Sequence, residues 1–236
     1  MLKYDKKGPT SFALGLTLAF EALEKASCLR LYLSPDLAEG ETKSRLIAKA
    51  REKGIMVISN NNKVFASLSG KENVMAIAEF EKMEKALNPY EDHCLLVNPM
   101  NMGNLGTIMR SCLAFGVTDL ALVEPCADPF DPKVIRSSMG AFFSLRLTRY
   151  KDFESYRAQF GDRALYPFML QAKTHLGEVD FPRPSTLVFG NEAKGLDPSF
   201  LEVGTPLLIK ISHSLDSLNL DNAASIGLYE LSKQRG

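Results

Sequence analysis

The sequence predicts an α/β protein: an open, mostly parallel sheet with helices on both faces, preceded by a small α/β domain. Three observations carry this. Short apolar runs of strand length alternate with helical stripes along most of the chain. Several runs, such as 93–98 and 119–123, are apolar almost throughout, which suits strands covered on both faces. A charged stretch with a proline and little apolar periodicity, 81–92, divides the chain into two such series. The domains are therefore placed at 1–88 and 93–236.

The 236 residues suffice for one large or two small domains, and 45% apolar content supports a full core without staples. No run is long and apolar enough to span a bilayer, and the first residues lack the pattern of a signal peptide. A soluble, cytoplasmic protein without membrane association is expected. Cys28, Cys94, Cys112 and Cys126 are scattered, and His93, His175 and His213 add no ligand spacing, so no metal is expected and the thiols read as reduced. The 28 Lys and Arg balance 28 Asp and Glu, so no bulk basic field marks the chain as a nucleic-acid binder; binding to nucleic acid would need a local basic face.

In the first series, Pro9, Thr10 and Ser11 read as a helix start, with Thr10 or Ser11 as cap. Phe12, Leu16, Phe20 and Leu23 follow as a helical stripe. Strands are expected at 29–34, 55–59 and 74–80. A charged helix is expected at 42–53, closed by Gly54, and a short one at 64–68, after a turn at 60–62. Lys3, Lys6, Lys7, Arg30 and Lys63 are candidates for a basic face; each also suits an ordinary solvated side chain.

In the second series, strand 93–98 runs into a turn carrying Asn101, Gly103, Asn104 and Gly106, and then into a helix. Such turns admit close backbone approach by a ligand. Leu105, Ile108, Met109, Cys112 and Phe115 share one side of that helix, and Arg110 lies on the other. A solvated surface arginine is the plain alternative to a functional one. Strands at 119–123, 144–148 and 164–170 alternate with helices at 132–138 and 152–160. A further apolar strand ends at Gly190, Asn191 and Glu192, with Gly195 close behind. Ligands of parallel sheets collect at strand carboxyl ends, so Glu192 is a site candidate; it equally suits a cap for the following turn. The nicotinamide and phosphate-loop fingerprints are absent.

The last strand, 207–211, breaks into a polar loop carrying Ser217, Asn219, Asp221 and Asn222, then a small-residue helix. These residues suit a helix cap as well as a site.

Taken in order, these three strand ends resemble the SpoU/TrmH branch of the SPOUT methyltransferases, over roughly 93–236. Asn104, Gly106 and Arg110 resemble its N-x-G-x-x-x-R block, with Asn101 an extra asparagine. Gly190, Glu192 and Gly195 resemble G-x-E-x-x-G. Ser217, Leu218 and Asn219 match S-L-N, while Ile209, Lys210 and Ile211 stand where I-P-M is usual. The N-terminal domain resembles the SpoU substrate-binding extension, itself similar to small RNA-binding ribosomal proteins, on Gly8, Ser67–Ser69 and Asn73.

The resemblance implies a C-terminal trefoil knot, S-adenosylmethionine as cofactor, a homodimer formed through the C-terminal domain, and methylation of a ribose 2′-OH in RNA, chiefly ribosomal RNA. It implies a catalytic set of Arg110, Asn104, Glu192, Ser217 and Asn219, with Gly190, Ile209 and Leu218 contacting the cofactor. Arg110 would activate the 2′-OH by stabilising the developing alkoxide, since a guanidinium is almost never deprotonated. The alternatives are a non-catalytic RNA- or ribosome-binding protein on the same scaffold, and a tRNA 2′-O-methyltransferase.

Overall fold

A computed structural model describes residues 3–59, 61–68, 73–212 and 215–235. Asn60 of the expected turn, Ser69 and His213, which enter the sequence readings above, lie outside the described residues. In chain order the strands are β1 (Thr10–Leu14), β2 (Cys28–Leu33), β3 (Met56–Ser59), β4 (Ala76–Glu81), β5 (His93–Val97), β6 (Asp119–Val123), β7 (Arg146–Tyr150), β8 (Ala164–Pro167), β9 (Thr174–His175), β10 (Ser185–Phe189) and β11 (Leu207–Leu208). The α-helices are α1 (Leu16–Lys25), α2 (Glu41–Glu52), α3 (Asn62–Leu68), α4 (Met102–Ala114), α5 (Pro132–Ser137), α6 (Phe153–Phe160) and α7 (Leu220–Lys233).

The chain packs as two units. The first comprises 1–83 and 128–144, the second 84–127 and 145–236. The division thus differs from boundaries at 88 and 93, because a segment from the middle of the second series packs with the first unit. Sequence order gave no sign of this: Phe130, Ile135 and Phe143 look like core residues of their own neighbourhood, yet they join the cluster of Leu23, Leu31 and Phe80.

The first unit holds a mixed sheet of order β1-β4-β2-β3, in which only β2 and β3 run parallel. The expected helix start at Pro9–Ser11 is a correction. Residues 10–14 form β1, antiparallel to β4 with Thr10 opposite Glu81. The stripe that suggested a helix is split by Gly15, whose φ of 114° only glycine adopts readily. Phe12 packs with Tyr32, Val64 and Ile77 on one face of the sheet, whereas Leu23, with Leu16 and Phe20, packs into the other cluster. The spacing of four between Phe12 and Leu16 is a coincidence of strand and helix meeting. Arg30, a basic-face candidate, donates to the buried Glu79 at 2.8 Å, and Tyr32 Oη donates to the same carboxylate.

The second unit is built on five parallel strands in the order β7-β6-β5-β10-β8. Strand alternation feeds both faces. Leu95, Ala121 and Val188 face a cluster with Tyr156 and Phe160 of α6. On the opposite face, Phe189 meets α7 at Gly227. The neighbouring Cys112 thiol of α4 and burial hold the Cys94 thiol well above its ordinary range. All four cysteines are free. The open parallel sheet expected from the apolar runs is present.

At the amino ends of the strands lies a closed relay. Arg163 Nε donates to Thr186 Oγ1 at 2.9 Å, Thr186 to Tyr156 Oη at 2.8 Å, and Tyr156 to His93 Nδ1 at 2.8 Å. His93 Nε2 then donates to the Asn88 carbonyl at 2.8 Å. The neutral tautomer fits this direction throughout. Burial, with Arg163 nearby, lowers the His93 pKa from 6.5 to about 4. The unfolded chain therefore takes up a proton near pH 6.5 that the native state refuses until about pH 4. Stability present above pH 6.5 is lost across that window, by about 3 kcal/mol at most. Urea denaturation at stepped pH should show this slope, and His93→Gln should flatten it.

The end of α7 is fixed to the same side of the sheet. Arg235 Nε donates to Asp92 Oδ2 at 2.6 Å, and Asp92 Oδ1 also accepts from the Ser185 amide at 2.7 Å. Midway, Ser225 and Ser111 join α7 to α4 at 2.7 Å. Among the described residues no helix is long and apolar enough to cross a membrane, and no cluster of His, Cys, Asp and Glu is placed to hold a metal ion.

Candidate active site

The turn after β5 is held from several sides. Asn98, at φ 55°, donates its amide Nδ2 to the Glu124 carbonyl at 2.8 Å, and the Ala127 amide donates to the Pro99 carbonyl at 2.7 Å. A non-glycine residue in the left-handed region is uncommon, and asparagine is among those that tolerate it. Asn101 is the N-cap of α4: its Oδ1 accepts from Gly103 N at 2.8 Å and Asn104 N at 3.1 Å. The extra asparagine of the motif thus has a definite role. Asn104 sits in the first turn, half-buried, and its side chain makes no hydrogen bond among the described residues. Arg110 lies further along α4 on the exposed face, and its guanidinium has no hydrogen bond or ion pair among the described residues.

The turn after β10 is tighter. A Cβ on Gly190 would lie 2.2 Å from the Gly195 carbonyl carbon and 2.3 Å from Leu196 N, so only glycine fits. Asn191 and Gly195 exchange both backbone hydrogen bonds, at 3.1 and 2.9 Å. Asn191 Oδ1 accepts from Ala193 N and Lys194 N, while its Nδ2 donates to the Asn98 carbonyl at 2.8 Å. Glu192 accepts from Met100 N at 3.1 Å and Asn101 N at 2.9 Å. A carboxylate on two amides just ahead of a helix is also favoured by the helix dipole. Glu192→Ala should therefore lower unfolding free energy by about 1–2 kcal/mol in urea titration, with Glu192→Gln losing less because one acceptor remains.

Beyond the carboxyl ends of β8 and β10 opens a cleft of about 250 Å³. Its apolar wall includes Phe168 and Phe189, stacked with ring centroids 4.4 Å apart. Gly227 allows this pair to sit against α7, since a Cβ there would lie 2.7 Å from Phe168 Cζ. The 190–196 turn forms another wall and the segment after β11 a third. Only Leu207–Leu208 of the expected 207–211 strand is paired, with β9. The rest has left the sheet and runs beside the cleft. Ile209 and Ile211 line it, while the intervening Lys210 does not and is exposed. The departure from I-P-M therefore places an apolar side chain at the cleft and its charge in solvent.

Of the eight candidate residues, Gly190, Glu192, Ile209, Ser217 and Leu218 line this cleft together. Asn104, Arg110 and Asn219 do not. Asn219 is the N-cap residue of α7, but its side chain makes no capping hydrogen bond, contrary to the plain reading of the tail. Neither Asn104 nor Glu192 hydrogen-bonds the arginine among the described residues; Glu192 acts on the turn ahead of its helix. Asn98 and Asn191 were missed as site residues. Asn191 could have been suspected from its place between Gly190 and Glu192, whereas nothing local marks Asn98.

A parallel α/β sheet with a ligand cleft at its strand carboxyl ends, walled by the segment leading into the C-terminal helix, defines the class. The chain belongs to the SpoU rRNA Methylase family, whose model matches residues 91–229. It is 32% identical over 174 residues to an uncharacterized tRNA/rRNA methyltransferase of Synechocystis, covering 72% of this chain and 64% of that one. It is 28% identical over 233 residues to the 23S rRNA (guanosine(2553)-2′-O)-methyltransferase RlmP of Bacillus subtilis, covering 97% and 91%. Among solved structures it is similar to the SpoU methyltransferase AviRb of Streptomyces viridochromogenes in complex with the cofactor AdoMet. That match has a TM-score of 0.82 and 25% identity, and covers 96% of this chain and 91% of that one.

Proposed function

We propose that this protein is an S-adenosylmethionine-dependent methyltransferase acting on a ribose 2′-OH of RNA, with ribosomal RNA as substrate. The observation that carries the reading is the convergence of Gly190, Ile209, Ser217 and Leu218 on one cleft within a chain of the SpoU family. The residues present suit the cofactor. The lining offers apolar side chains and turn backbone, and Gly190 has no Cβ to bring into its crowded turn. S-adenosylmethionine supplies an electrophilic methyl group when bound.

The protein's part is to bind, orient and balance charge. Gly190, Ile209 and Leu218 present backbone to the cofactor, and Ser217 supplies a hydroxyl at the cleft. Asn219, free of a capping role, offers its amide to the reacting groups. Arg110 stabilises the alkoxide that develops on the 2′-oxygen with the charge of its guanidinium. Asn104, in the first turn of the same helix, is placed in the catalytic set by its motif position.

Homodimerisation through the C-terminal domain belongs to this reading. It is supported by the exposed Leu113 of α4 and Ile226 and Tyr229 of α7, helices joined by the Ser111–Ser225 bond. Residues 1–88 are proposed as the RNA substrate-binding domain, 93–236 as the methyltransferase domain, the C-terminal threading as a trefoil knot, and the location as cytoplasmic. The test is calorimetric titration with S-adenosylmethionine, then transfer of its labelled methyl group to ribosomal RNA and mapping of the modified ribose. Saturable binding and a 2′-O-methyl mark in ribosomal RNA are expected. Methylation of transfer RNA alone would move the substrate class, and absence of cofactor binding would leave an RNA-binding scaffold.

A further inference from the structure

We propose that Asn191 is a positioning residue that couples occupancy of the cofactor cleft to the turn that starts α4, the helix carrying Arg110. The inference rests on the function proposed above and goes beyond it by assigning a route from the cleft wall to a turn that does not line the cleft.

The 190–196 turn has two sides. Toward the cleft it contributes lining from Gly190 to Leu196. On its other side it grips the turn after β5: Asn191 Nδ2 donates to the Asn98 carbonyl, and Glu192 accepts from Met100 N and Asn101 N. None of residues 98–110 lines the cleft. A ligand that orders the 190–196 turn therefore reaches α4 through these bonds.

The gripped turn is itself a held shape. Asn98 is at φ 55°, tied by its own side chain to the carbonyl of Glu124. Asn101, whose amide is taken by Glu192, caps α4 with its side chain. Asn191 also bonds Glu192 directly, its Nδ2 3.2 Å from Oε2, so one amide group steadies both contacts. The same Asn191 uses its oxygen for its own turn, on Ala193 N and Lys194 N. Asn191 thus lines the cleft while its side chain is committed at both ends to bonds within the protein.

That split lets one end be altered while the other is kept. Asn191→Asp keeps the acceptor that shapes its own turn. It replaces the donor with a carboxylate oxygen facing the Asn98 carbonyl and the Glu192 carboxylate, where the contact is repulsive. The experiment is hydrogen exchange of the full chain with and without S-adenosylmethionine, alongside kinetics of methyl transfer. In the wild type, cofactor is expected to slow exchange in both 190–196 and 98–105. In Asn191→Asp, protection persists at 190–196 and is lost at 98–105. The fall in kcat is at least tenfold and exceeds any change in cofactor Kd.

Equal protection of 98–105 in the variant, or an unchanged kcat, overturns the inference. So does a parallel loss of cofactor affinity and kcat, which would confine the part of Asn191 to the cleft wall. Should Asn191→Asp fail to fold, Asn191→Ser serves. Its hydroxyl can still accept within its own turn but is too short to reach the Asn98 carbonyl, and it should show the same selective loss at 98–105. Retention of wild-type protection there overturns the coupling. If wild-type protein shows no cofactor binding and no protection at 190–196, the functional reading itself fails and the coupling with it. That result is distinct from protection confined to 190–196.

Discussion

Arg110→Ala is expected to lower methyl transfer to RNA by about 10²–10³-fold, the cost of removing one group that stabilises developing negative charge. Two structural facts make the variant informative. The side chain is exposed and makes no hydrogen bond or ion pair among the described residues, so stability should change by no more than about 0.5 kcal/mol. It also does not line the cleft, so cofactor affinity should stay within about twofold of wild type. Single-turnover transfer from labelled cofactor separates the chemical step from binding. Arg110→Lys retains the charge but not the planar fork, and should recover part of the rate. Full activity in the alanine variant would return Arg110 to the status of a solvated surface side chain.

Gly190→Ala should act on the opposite quantity. Its added methyl would lie 2.2 Å from one backbone atom and 2.3 Å from another, and neither belongs to a flexible side chain. The turn must open, breaking the paired bonds between Asn191 and Gly195. Destabilisation of about 3 kcal/mol is expected, at the upper end for overpacking. Cofactor affinity should fall by at least about tenfold, a modest 1.4 kcal/mol for a distorted cleft wall. Thermal melting with and without S-adenosylmethionine reads both effects. A variant that melts and binds like wild type would show that the turn relaxes without cost.

Much of this architecture was legible in the residues. The apolar runs at 93–98, 119–123 and 186–189 could hardly be anything but covered parallel strands, and each strand end with a glycine and a polar pair proved to be a structured turn. The misreadings have physical causes. Phe12 shares helical spacing with Leu16, but a sheet has two faces and Gly15 separates them. Residues 128–144 join the first unit because Phe130 and Phe143 find their core there, a choice invisible to local pattern. The expected strand at 207–211 shortens to two paired residues, since apolar side chains serve a cleft wall as well as a sheet. Asn98 and Asn191 meet across 93 positions of sequence. Linear order carries no sign of such a bond, nor of the one from the Asn98 side chain to Glu124, 26 positions on.

The attachment of α7 also bears on the order in which the protein folds. Two of the polar ties of α7 and the residues just after it reach across 114 and 143 residues of sequence, Ser225 to Ser111 and Arg235 to Asp92. Neither partner is in place until α4 and the strand junctions at Asp92 and Ser185 have formed. Closing loops of this length is entropically costly before the contacts exist to offset it. The terminal helix is therefore expected to seat late, onto a sheet already assembled. The cleft, whose walls include Leu220 and Ala223 of that helix, would be among the last features of the molecule to exist.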